Sequence, residues 1–445
     1  MQTQAIAALA CLSALAVAAQ AQTNVPAFVN NETPALVDTY KDIHAHPELS
    51  HFEARTSAIL AAALRDAGYT VTDRIGRYPD GSQAYGVVGI LTNGAGPTLM
   101  IRADMDALPI VEETGVPYAS HVTAKDRAGQ TVGVMHACGH DVHTTVLVGT
   151  ARAMVAMKSQ WHGTLILIGQ PSEETIDGAK AMLADHLYDR FGRPDRIIGL
   201  HDTNSLPAGT VGITSGPAAA SSTSIDVIIR GIGGHGAHPQ AGRDPITLAA
   251  LYITQIQTIV SREEDPDDPT VVTVGHIEGG TKRNIIPDQV KLELTTRSFS
   301  DKSRDTVIRG LQQMAAGITA SAGLPPERAA TVTVLDDEST PVLYNDPAQS
   351  AQVRAMLAKA LGPDHVVDTP RIMASEDVGV FALPRHEIPL TYFWLGAMDP
   401  VKLAAAKAAG KELPGPHTSR FEPLPEPTIR TGVTAMASVA IALLQ

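Results

Sequence analysis

Three short apolar runs, each leading directly into acids or imidazoles, constrain this chain more than any other feature. Residues 98–103 run into Asp104 and Asp106, residues 163–169 into Gln170-Pro-Ser-Glu-Glu174, and residues 195–200 into His201-Asp202. Runs this short and this apolar read as buried strands. Between the first two, residues 144–157 are apolar and Ala-rich enough to form a helix. Strands alternating with helices predict an α/β architecture, a mixed twisted sheet with helices on both faces. In open α/β sheets the ligand site lies at the carboxyl ends of the strands. One polar strand end is an ordinary cap, but three in succession predict that acids and imidazoles meet in one crevice.

The flanking sequence supports the same architecture. Apolar spacing predicts helices over 33–49 and 53–68, around His44-Ala-His-Pro-Glu-Leu-Ser50. A strand over 84–92 is separated from 98–103 by the turn Asn93-Gly94-Ala95-Gly96-Pro97. After residue 216 the pattern changes to a strand over 224–230, a helix over 244–260, strands over 271–276 and 289–299, a helix over 304–322 and a strand over 330–335. That β-α-β-β-α-β order predicts an inserted ferredoxin-like α+β domain. At 445 residues the chain exceeds what one core supports. The predicted division is one domain over 22–216 and 337–445, with a second domain inserted at 217–336.

Composition narrows the partners. With 34 basic against 47 acidic residues the formal charge is −13, which argues against nucleic acid or an anionic membrane as a partner. Residues 1–21 carry an apolar run over 5–19 and a small-residue pattern at Ala19-Gln20-Ala21, which predicts a cleaved secretory signal. No later segment reads as a membrane span. An exported protein, periplasmic or secreted, is therefore expected. Of two cysteines, Cys11 lies in that leader, so Cys138 has no disulfide partner in the mature chain.

Cys138 sits in Gly133-Val-Met-His-Ala-Cys-Gly-His-Asp-Val-His143. A lone thiol two residues from a histidine is a core residue, a nucleophile or a metal ligand. Cys138, His140, Glu174, His201 and His417 are plausible direct ligands. Two divalent ions held by thiolate, imidazole and carboxylate can bridge a hydroxide while one polarises a scissile carbonyl. Gly139 permits a tight backbone between Cys138 and His140. Glu173 and Glu174 suit a division of labour in which one binds metal and its neighbour moves the proton. A competing reading makes Cys138 a nucleophile with His140 or His143 as base, inactivated by alkylation and indifferent to chelators. Another is a metal-storing protein without catalysis.

The motifs already quoted, together with Arg102-Ala-Asp-Met-Asp-Ala-Leu-Pro109, Gly199-Leu-His-Asp202 and Gly233-Gly-His-Gly-Ala-His-Pro239, run in order along nearly the whole mature chain. They resemble the amidohydrolase branch of the aminoacylase and carboxypeptidase-type dinuclear metallopeptidases, which includes hippurate hydrolase and the indole-acetyl-amino-acid hydrolases. The resemblance implies two divalent ions per subunit, zinc or manganese, with cobalt or nickel able to occupy the same geometry. It implies Cys138, His140, Glu174, His201 and His417 as ligands, Glu173 as general base and acid, and Asp106 as the residue orienting a ligand. It makes 22–216 and 337–445 the catalytic domain and 217–336 a lid and dimerisation domain, and places His235 at the oxyanion, in the site of the partner subunit of a homodimer formed through that lid. Asn284 and Arg297 would hold the substrate carboxylate. The implied activity is hydrolysis of an N-acyl amino acid or similar small amide conjugate, with dipeptides or peptide C-termini as the alternative substrate class. Two departures stand out. Val378, in Met373-Ala-Ser-Glu-Asp-Val378, replaces a common aromatic and predicts an altered acyl pocket, and residues 404–411 suggest an elaborated loop before His417.

Overall fold

The computed structural model describes residues 24–445; the expected leader, with Cys11, lies outside them. In chain order the strands that frame the site are β1 (Thr70–Arg77), β2 (Gln83–Asn93), β3 (Thr98–Asp104), β4 (Gly163–Gln170), β5 (Arg196–Pro207), β6 (Val211–Ile213), β7 (Ser221–Arg230), β8 (Val271–Gly279), β9 (Gln289–Ser298), β10 (Thr331–Thr340), β11 (Val366–Asp368) and β12 (Leu390–Met398). Eight of them form one sheet in the order β1-β2-β4-β3-β5-β12-β6-β11. The middle strands β4, β3, β5 and β12 are parallel neighbours, β1 and β2 pair antiparallel, and β6 pairs antiparallel with β12 and parallel with β11. The carboxyl ends of the three apolar runs therefore emerge side by side, as their sequence predicts.

Both faces of this sheet are covered, which is why its central strands read as continuous apolar runs. Side chains alternate between the two faces along each strand. Ile101, Leu165, Leu167, Ile198 and Leu200 pack toward the helices α1 (Val25–Ala45), α2 (Ala54–Asp66) and α3 (His140–Ala156) and the closing helix Pro425–Leu443. Met100, Ile166, Ile168 and Ile197, with Tyr392 of β12, face the opposite layer, which holds Met182 and Phe381. Burying each such Leu, Ile or Phe contributes roughly 1.5–3 kcal/mol. Val378 is fully buried in this second layer beside Phe381.

Several element limits differ from the sequence expectation. Helix α1 begins at Val25 because the Asn24 side chain accepts the Ala27 amide at 2.9 Å, and it continues through Pro34. Helix α3 begins at His140, not 144, because Gly139 turns the chain at φ 86° immediately before it. Strand β5 continues through His201 to Pro207, held by its pairing with β12. Most of 404–411 belongs to a helix, Pro400–Ala408, whose first amides are capped by Asp399.

The remaining four strands form a second sheet, β8-β9-β7-β10, with every neighbour antiparallel. Helices α4 (Pro245–Thr258) and α5 (Asp301–Ser321) cover one face through Tyr252, Ile256 and Leu311 against Ile225, Val227 and Leu292. This is the ferredoxin-like arrangement, inserted between β6 and β11. The two segments that connect it to the larger sheet, Gly216–Ala219 and Leu343–Asn345, pair with each other. Strand β10 bulges over residues 336–339, and there Lys180 Nζ donates to the carbonyls of Asp336, Asp337 and Ser339 at 2.6, 3.0 and 2.5 Å.

Candidate metal centre and active site

The site forms where β3, β4 and β5 end and α3 begins. Gly139 holds a left-handed conformation, and a Cβ there would lie 2.3 Å from Asp202 Oδ1, so only glycine allows the turn to pass so close to that carboxylate. The turn places Cys138 and His140 on either side. Cys138 Sγ lies 3.4 Å from His201 Nε2 and 3.3 Å from His417 Nε2. His417 Nε2 is in turn 3.3 Å from Glu174 Oε2. His417 stands in a left-handed backbone at φ 64°, with its amide donating to the Ala137 carbonyl at 2.7 Å. That bond ties a residue late in the chain to the cysteine turn.

Several sets of three donors overlap here, and two of them, Cys138/His140/His201 and Cys138/Glu174/His417, are drawn wholly from these five residues, each with ligand atoms within 4.8 Å of one another. Cys138 belongs to both. His140 Nε2 and Glu174 Oε1 are buried without a hydrogen-bond partner, an arrangement that costs free energy unless a cation or another group completes it. A shared thiolate, three imidazoles and a carboxylate suit two divalent ions. Burial, reinforced by Glu174, pushes the Cys138 thiol well above its ordinary range, so without a cation it is a poor nucleophile. His143 is not placed to act as its base. One ring nitrogen contacts Asp104 at 2.5 Å, and the other contacts Asp202 Oδ1 at 3.3 Å and accepts the Asp202 amide at 3.0 Å.

Asp106 organises the glutamates and His140 together. Its two carboxylate oxygens accept the amides of Glu173 and Glu174 at 3.1 and 3.0 Å, and Ser50 Oγ donates at 2.7 Å. Its backbone carbonyl contacts His140 Nδ1 at 2.8 Å, which turns Nε2 toward the donor cluster. Burial works against the Asp106 charge, but His140 and these donors hold its carboxyl below the usual range. In the neighbouring glutamates such compensation, from His140 among others, does not overcome burial. Burial pushes Glu174 up to about 7. Burial, with Glu376 and Glu174 nearby, pushes Glu173 well above the carboxylate range. Glu173 Oε2 lies 3.9 Å from His140 Nε2.

The lid residues form separate groups. His235 is exposed on a two-residue strand paired with Ile285–Ile286, and Gly236 donates to the Asn284 carbonyl at 2.9 Å, so His235 and Asn284 share one tip of the inserted domain. Arg297 lies on β9 opposite Ser222 and Val271, with Nη1 buried and unpartnered. Among the described residues, none of the three hydrogen-bonds or ion-pairs with the Cys138 cluster. His238 packs 5.6 Å from the His235 ring and precedes Pro239.

Two buried networks around the site were missed in the sequence. His44 contacts Asp141 at 2.6 Å and Glu112 at 3.1 Å behind the α3 turn, and although burial opposes its charge these carboxylates raise it to about 10. Arg102, fully buried, reaches Asp104 at 2.6 Å, Glu376 at 2.8 Å and Asp377 at 2.9 Å. An arginine inside an otherwise apolar strand was the available signal for the second network.

The family model described as Peptidase family M20/M25/M40 matches residues 100–439. The chain belongs to this family. IAA-amino acid hydrolase ILR1-like 4 of Arabidopsis thaliana is 34% identical over 407 residues, covering 91% of this chain and 84% of the plant protein. N-acetyl-L-cysteine deacetylase of Bacillus subtilis is 35% identical over 361 residues, covering 81% of this chain and 80% of its own length. Among solved structures, the YXEP protein of Bacillus subtilis, described as a dinuclear metal binding peptidase from the M20 family, superposes with TM-score 0.73 at 27% identity over 93% of this chain and 99% of that one. As an M20 member, the chain is a metal-dependent hydrolase of amide bonds, and the shared-thiolate donor set is consistent with that chemistry.

Proposed function

We propose that this M20 hydrolase cleaves N-acyl amino acids or similar small amide conjugates into a carboxylic acid and an amino acid. The observation that carries the reading is the paired turn of Glu173 and Glu174 beside two donor sets that share Cys138. Cys138, His140, Glu174, His201 and His417 would hold two divalent cations; thiolate and imidazole favour zinc by softness, and manganese, cobalt or nickel could occupy the same geometry. When bound, the cations supply Lewis acidity to the amide carbonyl and acidity to the attacking water. Glu173 accepts a proton from that water as the C–O bond forms and delivers it to the nitrogen as the C–N bond breaks, so the leaving amine departs neutral. His235 would stabilise the oxyanion from the partner subunit of a homodimer, and Asn284 and Arg297 would grip the substrate carboxylate. Export to the periplasm or medium is part of the proposal and rests on residues 1–21 alone. The acyl-amino-acid preference is supported by the names of the plant hydrolase and the bacillary deacetylase.

The test is an assay of purified protein on hippurate, N-acetyl and indole-acetyl amino acids, with free dipeptides in parallel and metal content measured on the same sample. Acyl amino acids should turn over, chelation should abolish activity, and Glu173→Gln should lower kcat by about 10²- to 10⁴-fold with metal retained. A Glu173→Gln enzyme at wild-type rate would refute the proton-transfer role, and turnover confined to dipeptides would refute the substrate class.

A further inference from the structure

The hydrogen bonds around the Glu173–Glu174 turn identify a carboxyl group that the proposed chemistry does not use. Glu53 occupies the N-cap position of α2, yet its side chain makes no bond to that helix, whose free amides at Arg55 and Thr56 are taken by Glu48 at 2.9 and 2.7 Å. Glu53 is instead fully buried and turned toward β4. Its Oε1 accepts the Ser172 amide at 2.8 Å, the Ser172 hydroxyl at 2.9 Å and the His51 amide at 3.0 Å. Asp106 takes the next two amides, those of Glu173 and Glu174. Three consecutive amides of the turn thus end on two buried carboxyl groups.

The backbone they hold is unusual. Ser172 stands at φ 54° and His51 at φ 72°, left-handed conformations that residues other than glycine keep only when their surroundings over-determine them. Tyr78 completes the enclosure, with its hydroxyl 2.6 Å from Ser172 Oγ and its ring stacked on His51 at 3.9 Å. A helix cap would not need these contacts. They converge on the residue immediately before Glu173, whose backbone direction sets where that side chain points.

We propose that Glu53 is a positioning residue for hydrolysis, gripping Ser172 so that the left-handed turn aims Glu173 at the reacting water and the leaving nitrogen. The inference rests on the reading of Glu173 as the proton carrier. Asp106 also holds His140, so losing it disturbs the metal side of the site, whereas Glu53 makes no contact with a donor residue. Its loss should therefore act on kcat and leave substrate and metal binding in place.

The experiment compares Glu53→Ala, Glu53→Gln, Ser172→Ala and Glu173→Gln, each loaded with the same divalent ion and assayed on one N-acyl amino acid. Glu53→Ala should lower kcat about 10- to 100-fold, as outer contacts to a catalytic group do, with KM and metal content within about twofold of wild type. Glu53→Gln, whose amide oxygen can still accept all three donors, should recover most of the rate, and Ser172→Ala should fall between. Wild-type kcat in Glu53→Ala overturns the proposal, as does Glu53→Gln impaired as fully as alanine, or rate loss that tracks metal loss. If Glu53→Ala does not fold, wild-type kcat in Ser172→Ala overturns it instead. Glu173→Gln separates the two readings. An inactive Glu173→Gln beside a fully active Glu53→Ala refutes only the role of Glu53, while an active Glu173→Gln refutes the proton carrier itself.

Discussion

Cys138 is the residue on which both donor sets depend, because it alone belongs to each. A serine there keeps the volume but replaces a soft thiolate with a hard hydroxyl that does not ionise at neutral pH. Cys138→Ser should lose metal affinity by more than the roughly 10- to 100-fold typical of an outer contact, with activity falling in step. Parallel metal titration and kcat measurement check this; full metal occupancy with lost activity would restore the nucleophile reading. At this scale the sequence was informative where a residue type carries its chemistry in the motif itself. Cys138, His140, Glu174, His201 and His417 could be named before any coordinates, and the structure gathers them. Glu53, His44 and Glu376 could not. They contact no proposed ligand directly, and their partners lie far away in sequence, Glu53 Oε1 with Ser172 and Arg102 with Glu376. Such pairings arise from packing, which spacing does not encode.

The elements were legible to the extent that hydrophobic period determines them. The parallel run of β3, β4 and β5 followed from three apolar stretches, and the ferredoxin-like order of β7 to β10 followed from alternation of strand and helix patterns. The start of α3 did not follow, because His140-Asp-Val-His143 carries polar residues that look like loop. They are helical because Gly139 makes the turn and the buried Asp104 and Asp202 receive His143. This gives the turn a sharp dependence on one side-chain-free position. Gly139→Ala must hold a left-handed backbone and place a Cβ 2.3 Å from Asp202 Oδ1. The conformational part alone costs roughly 1 kcal/mol or more, and the close approach requires Asp202, and with it His143 and His201, to shift. The expected result is a lower Tm together with reduced metal content. A variant that keeps wild-type metal stoichiometry and rate would show that the turn has more room than its geometry implies.

Viewed as one molecule, the protein places His235 and Asn284 on the tip of the inserted domain and the ligand cluster at the ends of β3 to β5, with no bond joining the two groups among the described residues. A second copy of the chain is one way to bring them together. The inserted domain presents the features such a copy needs. Strand β8 is an unpaired edge, with Ile277 53% exposed, and α4 beside it leaves Leu251 55% and Ile246 44% exposed. Exposed edges and apolar residues of this kind are usually covered in soluble proteins. If the homodimer forms there and His235 acts across it, two inactive variants should rescue each other. His235→Ala keeps its own Glu173 but supplies no histidine, while Glu173→Gln supplies the histidine but lacks the base. After dissociation and remixing, half of the dimers are hybrids with one complete site of two, so activity should return to about a quarter of wild type, as expected for an isologous two-fold pair. Leu251→Glu, placed in the apolar face, should weaken the dimer and lower activity together, read by light scattering and kcat. Absence of rescue in the mixture, with dimers present, would mean that His235 serves the site of its own subunit or none, and the lid would then have to close within one chain.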